Sequence, residues 1–116
     1  MPTSEGTSSQ GGTAPAQRIG IRLPEAALTG LREAFAEEVS ERLPRLRAAA
    51  VTLDPDLLCD ALRDLHTLGS SAYVVGADDA ARTAREAETA LVEKHPWAEF
   101  VGLVGELDAR LAGWVR

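Results

Sequence analysis

The sequence predicts an all-α protein, an antiparallel four-helix bundle, and three observations carry that expectation. From Pro24 onward, apolar residues recur at spacings of three and four, the period of a helix with one buried stripe. The stripes are interrupted at three places by strong local breakers: Leu53-Asp54-Pro55, Gly76 and Lys94-His95-Pro96. Beyond the short run Ile19, Ile21, Leu23, no segment alternates apolar and polar residues over the length of a strand. Four helices joined by short connections fold as antiparallel neighbours.

Residues 1–18, MPTSEGTSSQGGTAPAQR, are rich in Ser, Thr, Gly and Pro and hold no large apolar residue after Met1. Such a stretch cannot offset its ordering entropy by burial and is expected to be a disordered tail. Ile19, Ile21 and Leu23 form a short extended lead-in to a domain spanning 19–116. The first helix carries Leu28, Leu31, Phe35, Val39, Leu43, Leu46 and Ala50, and Pro44 within it is expected to kink it or divide it near Val39–Glu41. Asp54 caps the second helix with Pro55 in its first turn, and the stripe runs Leu58, Ala61, Leu62, Leu65, Leu68, Ala72, Val75 up to Gly76 as C-cap. Asp78 or Asp79 starts the third, whose inner face of Ala80, Ala81, Ala84, Ala87 and Leu91 is small enough for close helix approach. Trp97, Phe100, Val104, Leu107, Leu111 and Trp114 mark the fourth.

Composition narrows the function. The 116 residues are 45% hydrophobic and 26% charged, one domain's worth of chain. No apolar run approaches the roughly 18 residues of a membrane span, and the N-terminus lacks the features of a signal peptide, so no membrane association and a cytoplasmic location are expected. With 18 acidic residues against 12 basic and a net charge of −6, the chain is a poor nucleic-acid binder. A single cysteine, Cys59, excludes an internal disulfide and any multi-Cys metal site, and no His-x-x-x-His or Glu-x-x-His pair suggests a metal centre in the bundle. No cofactor is expected. Cys59 itself reads as core or half-core, and His95, beside Pro96, as a bystander.

The chemistry concentrates in the second helix. His66 follows Leu65 and lies about 100° from it around the axis, at the edge of the apolar face with one side open. One turn on come Gly69 and Ser70. A glycine inside a helix costs roughly 1 kcal/mol relative to alanine, which makes sense if the surface beside His66 must be bare for another protein to reach the imidazole. A neutral imidazole is a competent nucleophile near pH 7 when its other nitrogen is held as a donor, and Glu88 on the third helix is the natural holder.

The segment His66-Thr67-Leu68-Gly69-Ser70-Ser71-Ala72-Tyr73-Val74-Val75-Gly76-Ala77 resembles the signature of histidine phosphotransfer (HPt) domains. His66, apolar Leu68, the small Ser70, Ser71 and Ala72, and Gly76-Ala77 fall at the family's spacing, and Glu88 stands where the family places a Glu or Gln that hydrogen-bonds the active imidazole. The resemblance implies a phosphoryl carrier, not a stand-alone enzyme. His66 would accept phosphate from a kinase or from an aspartyl-phosphate receiver domain of a response regulator and pass it on. Phosphorylation would fall on Nε2 with Nδ1–H directed at Glu88, and the receiver would supply Mg²⁺. The implied partners are a receiver domain, a sensor histidine kinase or both, docking on Leu62, Tyr73 and the bare Gly69–Ser70 surface; a monomer is the default expectation for such a bundle.

The family usually has Lys three residues after the His and Gly at the fourth, where this chain has Gly69 and Ser70. Arg63, one turn before His66, or Arg85, one turn before Glu88, are the candidates to supply a cation to the phosphoryl group. The alternative is a non-catalytic HPt-like module that docks a receiver or kinase without carrying phosphate.

Overall fold

The computed structural model describes residues 24–115; the tail and the lead-in of Ile19, Ile21 and Leu23 lie outside the described residues. Four helices follow in order, α1 (Glu25–Thr52), α2 (Pro55–Val74), α3 (Asp78–Val92) and α4 (Trp97–Leu111), closed by a 3₁₀ turn at Ala112–Trp114. The connections at 53–54, 75–77 and 93–96 are too short for anything but antiparallel neighbours. Each helix packs on the next, and α4 closes the ring against α1.

The breakers act locally as their chemistry dictates. Leu53 takes the left-handed conformation (φ 53°), its N–H bonding the Ala49 carbonyl at 2.8 Å, and turns the chain out of α1. The Asp54 carboxylate accepts from the Asp56 N–H at 2.8 Å, and Pro55 occupies the first turn where no N–H is needed. Gly76 (φ 85°) ends α2 in a Schellman motif, with Ala77 N–H on the Ala72 carbonyl (2.8 Å) and Gly76 N–H on that of Tyr73 (3.2 Å). Lys94 (φ 55°) ends α3 in the same way, His95 N–H reaching the Ala90 carbonyl at 2.9 Å before Pro96 forbids further helix.

Pro44 departs from expectation in part, because α1 is not divided near Val39–Glu41 and runs as one helix of 28 residues through the proline. Phe35, Val39 and Leu43 before it and Leu46 and Ala49 after it are all buried in one core, while Pro44 itself is exposed. Packing on both sides holds the segment helical and outweighs the hydrogen bond the proline removes.

The core gathers Phe35, Val39, Leu43 and Leu46 of α1, Leu65 and Leu68 of α2, and Phe100, Leu107 and Leu111 of α4. α3 contributes almost only alanine: Ala80, Ala81, Ala84, Ala87 and Ala90. Trp114 stands edge-on to Phe35 (centroids 4.8 Å, 80°) and closes one end. A bidentate pair from Arg47 to Asp108 (2.9 and 2.6 Å) ties the outside of α1 to α4.

Candidate functional site

The roll of α2 about its own axis decides where His66 points, and a part-buried ion pair fixes that roll. Asp64, whose side chain is 3% exposed, accepts from Arg42 (2.6 Å) and doubly from Arg45 (3.1 and 2.8 Å), both on α1. His66 lies two residues on, roughly 200° around the helix, so pinning Asp64 to α1 turns His66 away from α1 and out to solvent beside α3. This staple was not foreseen. A signal existed in the sequence: Asp64 falls inside the apolar stripe, between Ala61 and Leu68, where a lone carboxylate needs a buried cation.

His66 is the exposed member of the site, with its side chain 74% accessible. Its Nδ1 faces Glu88 Oε2 at 3.5 Å, and the Glu88 side chain is 30% exposed. That separation is an ion-pair distance, longer than a hydrogen bond. It leaves Nε2 as the nitrogen away from the carboxylate. His66 and Glu88, as expected, come together across α2 and α3.

The other candidates divide. Ser70 and Tyr73 are exposed, and Leu62 is half-buried on the same side. Gly69 is a correction: it is buried and not part of a bare surface. A Cβ built at Gly69 would lie 3.4 Å from Ala84 Cβ and 3.8 Å from the Ala81 carbonyl, so the glycine sits at the seam where α2 and α3 approach. Arg63 is exposed and pairs with Asp60 at 3.5 Å on the outer face of α2. Arg85 leans across the seam, its Cγ 4.0 Å from the same Cβ position, with its guanidinium 5.8 Å from the centre of the Tyr73 ring.

Beyond Leu62 the α2–α3 furrow widens into an apolar groove of about 540 Å³, lined by Leu58, Cys59 and Leu62 on one side and Leu91, Pro96 and Trp97 on the other. Cys59 is exposed there, not core or half-core as its surroundings in the sequence suggested, because it falls one position off the buried stripe. Trp97 is likewise exposed. Leu62 and Cys59 lie one and two turns before His66, so groove and histidine share one face. His95, at the rim, has its Nδ1 2.6 Å from Glu99 and its Nε2 3.2 Å from Glu93, and the two carboxylates, Glu99 foremost, raise its pKa.

An exposed imidazole backed by a carboxylate, on a helix whose roll is fixed, can act as a nucleophile through its outer nitrogen and hold positive charge while doing so. No group of three or more His, Cys, Asp or Glu side chains able to hold a metal occurs among the described residues. No helix among them is long and apolar enough to cross a membrane.

Comparison with known proteins gives one family match. The family model of the Hpt domain matches residues 30–114, which takes in α2, α3 and α4 entirely and most of α1. No curated protein and no solved structure matches the chain. With most of its length matched, the chain belongs to the Hpt domain family, phosphocarrier modules of histidine phosphotransfer in phosphorelays.

Proposed function

We propose that this chain carries a phosphoryl group on His66, received from a receiver-domain aspartate or a kinase domain and passed on along a phosphorelay. The observation that carries the reading is the exposed His66 imidazole with Nδ1 turned to Glu88 and Nε2 turned away from it. In transfer from an aspartyl phosphate, the Nε2 lone pair forms the N–P bond as the P–O bond to the aspartate breaks. The electron pair of that bond leaves with the aspartate carboxylate. The Nδ1 proton stays on the ring, which becomes cationic, and Glu88 stabilises it across 3.5 Å. The partner docks over Leu62, Ser70 and Tyr73, with the apolar groove toward Trp97 extending that surface.

The test is transfer to the purified chain from a set of phosphorylated receivers, scored as acid-labile, base-stable label. Label that disappears in His66→Gln, with the helical fold intact, supports the carrier. Label retained in that variant overturns the assignment to His66. One observation favours a second reading, a docking module that carries no phosphate: Gly69 leaves α2 without a cation one turn after His66. Receiver binding without label from any donor is the result that reading expects.

A further inference from the structure

A phosphoryl group on His66 brings about two negative charges to a surface whose nearest acid is already Glu88, so a cation must come from the surroundings. Arg63 is engaged with Asp60 on the outer face of α2. Lys94 lies at the far end of the groove, past Leu62. Arg85 is different in both respects. It makes no ion pair among the described residues, and its stem crosses the seam at Gly69.

The register of the two helices sets its reach. Gly69 faces Ala84 and Arg85, and one turn away in each chain direction His66 faces Glu88. Along α2, Tyr73 lies about 6 Å beyond Gly69 and His66 about 4.5 Å before it, from the rise of about 1.5 Å per residue. The bonds that carry the guanidinium from the Gly69 seam to the Tyr73 ring therefore suffice to carry it the shorter way to His66. The ring holds it by cation–π attraction alone, which a charge-assisted bond to a phosphoryl oxygen exceeds.

We infer that Arg85 rests on Tyr73 in the free protein and swings to the phosphoryl group when His66 takes it, supplying the site's cation from α3 along the seam at Gly69. This rests on His66 being the phosphoacceptor. It adds the residue that meets the phosphoryl oxygens and a partner, Tyr73, that stores it between turnovers.

The experiment uses the intact chain and phosphoramidate, a small donor that needs no partner protein, and follows the rate of His66 labelling. Arg85→Gln is expected to label about tenfold more slowly, the loss of one partly exposed charge-assisted bond. Arg85→Lys recovers part of the rate because it keeps the charge and loses the fork. Tyr73→Ala labels faster than the wild type, since it releases the arginine. In the phosphorylated wild type the Arg85 Nε–H resonance shifts, a signal that a purely structural arginine would not give. Unchanged labelling in Arg85→Gln, with His66→Gln blank, overturns the role of Arg85 and leaves the carrier reading standing. Tyr73→Ala that labels no faster than the wild type overturns the resting place. A wild-type chain that takes no label from this donor or from any receiver overturns both.

Discussion

Removing either side of the Asp64 staple should destabilise the domain, but unequally, and the inequality follows from exposure. Asp64→Ala deletes three charge-assisted hydrogen bonds of 2.6, 3.1 and 2.8 Å. It leaves behind two guanidiniums whose side chains are 21% and 47% exposed and can turn to water. The cost is then about 2–3 kcal/mol, below the sum of three bonds because the carboxylate's own desolvation is relieved. Replacing Arg42 and Arg45 together by methionine keeps their stems but strands a carboxylate that is only 3% exposed. Breaking a buried pair in that sense costs about 3–5 kcal/mol. For a domain of this size each kcal/mol is worth roughly 4–8 °C, so Asp64→Ala should melt roughly 10–20 °C below wild type, with the double arginine variant lower still. Thermal unfolding followed by far-ultraviolet circular dichroism reads both. Asp64→Ala falling below the double variant would refute the argument, because the stranded group would then not be the dominant cost.

Three further outcomes follow from the geometry. Glu88→Ala should slow labelling of His66 about five- to tenfold at low salt, since a charge 3.5 Å away contributes about 1 kcal/mol when the imidazole is as exposed as 74%; 1 M salt should narrow the gap, and an equal rate at low salt would exclude an electrostatic role. Gly69→Ala should raise stability by up to about 1 kcal/mol, because a methyl group there makes ordinary contact with Ala84 at 3.4 Å while the helix gains propensity; a lower melting temperature would show that α3 cannot yield. Stability should peak in mildly acidic solution. His95 has a pKa raised above 6.5 by Glu99 and Glu93, so its contribution is full below 6.5 and is lost as pH rises through the raised value. Asp108, held low by Arg47, and Glu106, held low by Arg110 and Thr83, contribute above their ordinary values of 3.8 and 4.5 and lose that contribution as pH falls through the lowered ones. Melting curves from pH 3 to 9 test this, and His95→Asn should flatten only the alkaline side.

What the sequence made legible was local. Asp54-Pro55, Gly76 and Lys94-His95-Pro96 end or start helices through their own backbone chemistry, and each does so in the fold. The alanine face of α3 was legible by period, although Ala90 and not Leu91 is the fully buried residue at its end. Pro44 misled because the decisive forces come from α2 and α4, which a local rule does not contain. Gly69 misled for a related reason: its burial depends on the register of α2 against α3, fixed by Ala84 and invisible within α2. His66 and Glu88 were paired by what an active imidazole needs and by the family resemblance, whereas the Asp64 staple that aims the histidine joins residues 19 and 22 positions apart. The exposure of Cys59 and Trp97 required knowing where one groove opens.

The seam at Gly69 and Ala84 also limits how this site can change over generations. Both residues are already the smallest, or next to the smallest, that a helix accepts, and they touch at van der Waals range once a methyl is added. Nearly every substitution there widens the space between α2 and α3. Only Ala84→Gly lies in the other direction, and it costs roughly 1 kcal/mol of helix. Variation at the seam is therefore one-sided. It can draw Glu88 away from His66 and weaken the pair, but it has almost no route to bring them closer, so refinement of the site must come from side chains that reach across the gap and not from the gap itself.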